Sequence, residues 1–314
     1  MKRRTACVFG SVNTDIHASL PRFPAAGETI AALKLEVSGG GKGANQAFAL
    51  ARLGITTSIL ARVGRDAFGR DRRAELEAVG LDCGGLEEVA GAVTGTALVE
   101  TDSSGQNLIV IAAGANALAD AAFARRHRDR IAASGILLVQ LETPLEGTLE
   151  ALRLARAAGC LTMLDPAPAR ELPSEAFELA DYITPNETET EILTGIRPED
   201  AASAEAAARI LLEKGAGAAL IKAGASGAWL LKPKADPLHC PSFQVTVVDT
   251  TAAGDAFNAG FAVALLAGHP EAEALRQACA VGALAVTRSG AQLAMPSRSE
   301  LAAFLAGARS AKRT

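Results

Sequence analysis

The chain has 314 residues, 49% of them hydrophobic and 21% charged, with a net charge of −4, which suits one large α/β domain with a substantial core. Lys and Arg are scattered apart from short clusters at Lys2, Arg3 and Arg4 and at Arg125, Arg126 and Arg128, so nucleic acid is not an expected partner. No apolar run reaches the length of a membrane span, and Cys7, Cys83, Cys160, Cys240 and Cys279 are odd in number and lack C-x-x-C spacing, which argues against a disulfide framework or a zinc site and for reduced thiols in a cytoplasmic protein.

From the N-terminus onward, strand-like runs at Ala6 to Phe9, Ser58 to Val63, Ile136 to Leu141, Leu161 to Leu164 and Ala218 to Lys222 alternate with helical patterns. The helical segments are Ala44 to Leu53, Arg70 to Val79, Glu146 to Ala158, Ala204 to Lys214 and Ala256 to Leu266, rich in alanine and leucine. This alternation predicts a mostly parallel central sheet covered by helices on both faces. Two segments, about 16–37 and about 93–111, break the rhythm and read as β with turns, the second as a hairpin turning at Asp102-Ser103-Ser104-Gly105. A small sheet standing away from the main core would be able to cover a site.

The first candidate motif, Gly10-Ser11-Val12-Asn13-Thr14-Asp15, ends a buried strand. Ligands of open α/β sheets collect beyond the carboxyl ends of strands, and Asn13 with Asp15 suits a polyhydroxyl ligand; a turn made by Asx side chains explains the same residues. Gly39-Gly40-Gly41-Lys42-Gly43-Ala44-Asn45-Gln46 precedes a helix. It fits neither the Walker A nor the dinucleotide spacing, and is either a close backbone approach to a ligand, with Lys42 and Asn45 as donors, or a hinge with a helix cap. Glu142 sits at another strand end, where an exposed Glu is usually just solvated.

Further along, Asn186 and Glu189 have capping-box spacing and are equally placed to hold metal-bound waters near phosphates. Lys222-Ala223-Gly224-Ala225-Ser226-Gly227 is a glycine loop or an ordinary β-turn. Asp249-Thr250-Thr251-Ala252-Ala253-Gly254-Asp255 ends a β-like run and opens a helix. Its backbone N–H groups and dipole favour an anion, and Asp255 is either a base that accepts a hydroxyl proton or a plain first-turn carboxylate.

Taken together these residues resemble the PfkB-type carbohydrate kinases, and within them the ribokinase group, over nearly the whole chain. The motifs are G-S-V-N-T-D from Gly10, G-G-K-G-A-N-Q from Gly40, L-E-T-P-L-E from Leu141, D-P-A-P-A-R-E-L-P from Asp165, I-T-P-N-E-T-E from Ile183, V-D-T-T-A-A-G-D-A-F-N from Val248 and A-V-T-R-S-G-A-Q from Ala285. The resemblance implies a single ribokinase-like domain over 1–314, a three-layer sandwich with a lid formed by about 16–37 and 93–111. It implies transfer of the γ-phosphoryl group of ATP to O5 of D-ribose, giving ribose 5-phosphate. Asn13, Asp15, Gly41, Lys42, Asn45 and Glu142 would hold the sugar, and Asp255 would be the base.

By the same resemblance the N–H groups of Ala252, Ala253 and Gly254 form the anion hole, while Asn186 serves the phosphates and Glu189 a magnesium ion through water. Lys222, Gly224 and Gly227 fall in the nucleotide loop, with Asn258 and Cys279 near the adenine. A monovalent cation, typically K⁺, would sit near Asp249, Thr251, Val286, Arg288 or Ser289, and Gly290, and the lid would pair with another lid in a homodimer. Four positions depart from the pattern: Lys222 and Ala256 stand where threonine is common, Cys279 where histidine is common, and Ala294 where serine is common. Within kinases the alternative substrate is 2-deoxyribose or a nucleoside; outside them the alternative is a non-catalytic sugar-binding regulator.

Overall fold

The structure, a computed structural model, describes residues 3–310. Its strands are β1 (Thr5–Phe9), β2 (Asn13–Ser19), β3 (Lys34–Gly40), β4 (Thr56–Gly64), β5 (Asp82–Val89), β6 (Gly95–Thr101), β7 (Asn107–Ala112), β8 (Ile136–Val139), β9 (Leu161–Leu164), β10 (Tyr182–Ile183), β11 (Ala219–Lys222), β12 (Ala228–Leu231) and β13 (Leu238–Cys240). The helices are α1 (Lys42–Arg52), α2 (Ala67–Ala78), α3 (Ala121–Arg126), α4 (Arg128–Ala132), α5 (Leu145–Ala157), α6 (Ser174–Glu178), α7 (Glu187–Thr194), α8 (Ala201–Glu213), α9 (Ala253–Leu266), α10 (Glu271–Ala285) and α11 (Arg298–Ser310).

Among the described residues, nine strands form one sheet in the order β13-β12-β11-β10-β9-β8-β1-β4-β5. Pairing is parallel from β5 to β11 and antiparallel only at β12 and β13. The strand alternation explains why both faces are covered. In β1, Ala6 and Val8 pack into one core cluster while Cys7 and Phe9 pack into the other; in β8, Ile136 and Leu138 divide from Leu137 and Val139 in the same way. A strand buried on both sides must be apolar at every position, which is why β1 and β8 read as continuous apolar runs. Helices α1, α9 and α10 contribute to the first cluster, α3, α5 and α8 to the second.

The remaining four strands form a separate sheet in the order β3-β2-β6-β7. It is mixed: β2 runs antiparallel to β3 but parallel to β6, and β6 and β7 form the hairpin. Its strands span 13–40 and 95–112, so Gly39 and Gly40 pair with Thr14 and Asn13 as strand residues instead of forming a hinge. The period-2 rule gives this sheet two distinct faces. Asp15, His17, Ala97, Val99, Asn107, Ile109 and Ile111 face a cavity, whereas Leu35, Val37, Leu98, Leu108 and Val110 are exposed on the other side.

Candidate active site

Several strand ends and the starts of α1, α7 and α9 converge on a cavity of about 950 Å³ between the two sheets. Glycine makes the convergence possible at the start of α1. Gly41 adopts a φ of 87°, a region that favours glycine, and so turns the chain from β3 into the helix. A Cβ at Gly43 would lie 2.6 Å from Ser11 N, so α1 starts hard against the end of β1. The turn at Gly41 carries Lys42, Asn45 and Gln46 into the site.

At one end of the cavity stand Asn13, Asp15, Gly41, Lys42, Asn45 and Glu142. Glu142 accepts hydrogen bonds from Ser11 Oγ and from Lys42 N at 3.0 Å, which ties the end of β8 to the start of α1. Asn13 Oδ1 accepts from Asn116 Nδ2 at 2.7 Å, so its amide group is oriented before any ligand arrives. Burial raises the Asp15 carboxyl to about 6, Glu142 adding to the shift and Arg72 opposing it. For the Lys42 ammonium, burial works downward, but Asp255, Asp165, Glu142 and Glu189 outweigh it and hold the group protonated above its usual range.

Asp255 lies in the first turn of α9 and is 4% exposed. Its Oδ2 accepts from Asn45 Nδ2 at 3.1 Å and its Oδ1 from Gln46 Nε2 at 3.0 Å. Gln46 is itself held by Gln140 Nε2 on its Oε1 at 2.6 Å, and Asn45 by Gln292 Nε2 on its Oδ1 at 3.3 Å. These bonds fix the carboxylate plane. Burial pushes its pKa up to about 6, with Lys42 opposing and Asp165 reinforcing the rise. The helix start beside it is strained: Ala252 is a non-glycine residue at φ 57°. The Ala253 N–H bonds Thr250 O at 3.2 Å, so part of the expected anion hole is engaged within the turn.

Toward the other end, Asn186, Glu187, Glu189, Lys222, Gly224, Gly227 and Cys279 line the wall, together with Ala252, Ala253 and Gly254. Both capping-box bonds form between Asn186 and Glu189. That structural role coexists with a place on the cavity wall, and burial raises the Glu189 carboxyl against the pull of Lys222. Contact with Cys240, then burial, raises the Cys279 thiol, which keeps that patch of wall neutral. Asn258 differs from expectation: one turn beyond Asp255, it is fully buried and absent from the cavity wall, where Phe257, Gly282 and Ala283 stand instead. The helical repeat turns Asn258 into the packed interior.

The residues expected around a monovalent cation are gathered but occupied with one another. Asp249 Oδ1 accepts from Thr251 N and Oγ1, and Oδ2 from Gly290 N at 2.8 Å; Val286 O accepts from Val248 N at 2.8 Å. Burial alone would raise the Asp249 carboxyl, yet the Gly290 and Thr251 bonds hold it below its usual value. Thr251 and Val286 reach the cavity wall; Asp249, Ser289 and Gly290 do not. Ala294 is buried and offers no side-chain oxygen. Among the described residues, no cluster of three or more His, Cys, Asp or Glu is arranged to hold a metal ion.

Sequence reasoning gave no role to several residues that build the site. Asp165, Gln46, Gln292, Asn116 and Arg72 are buried polar side chains whose partners lie far away in the chain. Gln46, Asp165 and Gln292 fall inside quoted motifs, but no spacing rule pointed to their bonds. The stretch before Asp249, read as a β-like run, has no regular structure, and its residues Ser242 to Val245 form part of the cavity wall.

Residues 3–298 match the pfkB family carbohydrate kinases. The chain belongs to that family. Ribokinase from Haemophilus influenzae is 41% identical over 303 residues, covering 96% of this chain and 99% of the relative. Deoxyribokinase from Salmonella typhimurium is 33% identical, covering 95% of this chain and 97% of the relative. Arabidopsis thaliana ribokinase complexed with ribose and ATP superposes with a TM-score of 0.92 at 34% identity, covering 96% of this chain and 99% of that one. Like these PfkB relatives, the chain is an α/β sugar kinase with a large, mostly parallel sheet and a small separate one. Among the described residues no helix is long and apolar enough to cross a membrane.

Proposed function

We propose that this chain transfers the γ-phosphoryl group of ATP to O5 of D-ribose, giving D-ribose 5-phosphate and ADP. The observation that carries this reading is that Asp255, bonded to Asn45 and Gln46, lines one cavity together with a carboxylate and amide cluster and a glycine-lined loop region. Asn13, Asp15, Asn45 and Glu142 supply donors and acceptors for several hydroxyls, and Lys42 adds a permanent cation. Gly224, Gly227 and Cys279 give the opposite end a neutral surface for a nucleotide, with Asn186 toward its phosphates.

Asp255 accepts the proton of the attacking hydroxyl as the new P–O bond forms and the bond to the ADP leaving oxygen breaks. Asn45 and Gln46 hold its carboxylate in plane, so little reorganisation is needed. Ala252 to Gly254 direct a helix N-terminus at the transferred group, where the dipole favours the negative charge. Magnesium fits as an ion carried by the nucleotide phosphates and waters, since Asp165, Glu187 and Glu189 line that end without forming a closed cage. When bound it would neutralise charge on the phosphates. Asp249, Thr251 and the carbonyl of Val286 form an all-oxygen donor set suited to a hard monovalent cation such as K⁺, with Ala294 contributing nothing.

The small sheet is read as a lid over the sugar, within a single domain of the whole chain. Its inner face lines the cavity, and closing it would exclude water, the competing acceptor. Its outer apolar row, Leu35, Val37, Leu98, Leu108 and Val110, is exposed and suits pairing with a second lid in a homodimer. The test is ADP release with ATP, Mg²⁺ and a panel of pentoses, hexoses and nucleosides, with and without K⁺. Ribose is expected to give the highest kcat/KM; a preference for 2-deoxyribose would transfer the assignment to the deoxy sugar.

A further inference from the structure

Asp165 is 2% exposed, lines the cavity and plays no part in the proton transfer described above. Its backbone is pinned, with its N–H on Val139 O at 2.9 Å and its carbonyl accepting from Ala167 N at 2.8 Å. Its side chain makes two bonds. Oδ1 accepts from Lys222 Nζ at 3.0 Å, and Oδ2 accepts from Gln46 Nε2 at 2.9 Å, the nitrogen that also reaches Asp255. Lys222 is held from its own side by its N–H on Pro185 O at 2.9 Å. Its ammonium lies next to the α9 N-terminus, 3.4 Å from where a Cβ on Gly254 would be.

A buried ion pair is a poor device for stability, because the cost of desolvating both ions rivals their attraction. This one stands on a cavity wall with its cation aimed at a helix start that already favours an anion. Lysine serves such a place as a compact point charge for phosphate. We propose that Lys222 is a further catalytic residue, contacting the transferred phosphoryl group of a nucleoside triphosphate. Asp165 is the positioning residue that holds Lys222 there and shares Gln46 with Asp255. The inference rests on the functional reading above. The step is unchanged: the hydroxyl oxygen bonds to phosphorus, the bond to the leaving oxygen breaks and the proton goes to Asp255. Lys222 offsets the charge on the equatorial oxygens as it develops.

Lys222→Met is expected to lower kcat about 10²-fold with KM for ribose changed less than about twofold. It should also weaken binding of ADP with aluminium fluoride and ribose, a transition-state mimic, while leaving ADP alone nearly unaffected. Asp165→Asn should lower kcat by a smaller factor and move the acid limb of kcat/KM to lower pH. The charges facing Asp255 are Lys42 from α1 and Asp165 beyond β9, and loss of the latter removes a cause of the raised carboxyl. A purely structural role would leave that limb in place.

Because a single substitution leaves a buried charge without its partner, the double variant Asp165→Asn with Lys222→Thr serves as the folded control, and it too should keep the kcat loss. Wild-type kcat in Lys222→Met or in the double variant would overturn the proposal, as would an unchanged affinity for the mimic. Wild-type turnover on ribose is measured alongside. Its absence would count against the functional reading, whereas a normal wild type with unaffected variants removes this proposal alone.

Discussion

The two ends of the cavity are built on different principles. At the end with Asn13, Asp15, Asn45 and Glu142, side chains are tied to one another across the fold, through Asn116, Ser11, Gln292 and the backbone of Lys42. At the end with Gly224, Gly227 and the Ser242 to Val247 stretch, the wall comes from turns and irregular chain, with Gly224, Gln244 and Val247 exposed. Asp255 stands between them, anchored from α1 alone by Asn45 and Gln46. The difference teaches where discrimination lies. Oriented side chains reject a ligand lacking one hydroxyl, because a buried polar group is then left unpaired. A backbone-lined wall accepts a range of flat ligands.

Substitutions at the two ends should therefore fail differently. The largest effect belongs to the centre: Asp255→Ala should cut kcat about 10³-fold while leaving ribose binding nearly intact by calorimetry. Gln46→Leu breaks the bridge between Asp255 and Asp165 and should lower kcat about 10²-fold with ribose KM little changed, a split that steady-state kinetics resolves. At the sugar end, Glu142→Gln removes the charge that accepts from Ser11 and Lys42 N; ribose KM should rise about tenfold or more with ATP KM within about twofold. The smallest effect is expected at the nucleotide end, where Cys279→Ser should change ATP KM only about twofold and ribose KM not at all.

The pH profile sharpens the same contrast. Asp255 and Asp15 both have carboxyls raised to about 6, and both serve as anions. Each is protonated as pH falls through that value, so kcat/KM for ribose should fall below about pH 6 with a slope on a log plot steeper than one. Asp15→Asn should leave a limb of slope one, due to Asp255.

Much of the fold was legible because its signals are local. Runs such as Ala6 to Phe9 and Ile136 to Val139 are apolar at every position, the mark of strands covered on both faces. The predicted helices begin two or three residues late, at Ala44, Arg70, Ala204 and Ala256 against Lys42, Ala67, Ala201 and Ala253, because periodicity marks the body of a helix more sharply than its first turn. The parallel pairing of β2 with β6 was not legible, because strands 13–19 and 95–101 are joined only through tertiary structure. In the site, the glycine runs and the carboxylates Asp15 and Glu142 announced themselves, but Gln46, Asp165 and Asn116 did not. Their work consists of hydrogen bonds spanning about a hundred residues of chain. Asn258 shows the converse: it lies one turn beyond Asp255 in α9, yet the helix faces it inward, behind the wall that Phe257 and Cys279 form.

The most direct test of the central claim is the product of one reaction, with purified protein, ATP, Mg²⁺, K⁺ and D-ribose, followed by phosphorus NMR and coupled ADP measurement. The account predicts one ADP per ribose phosphorylated, the phosphate on O5, and a higher kcat/KM for ribose than for 2-deoxyribose. ADP released at the same rate without sugar, a phosphate on another oxygen, or a preference for 2-deoxyribose would contradict it.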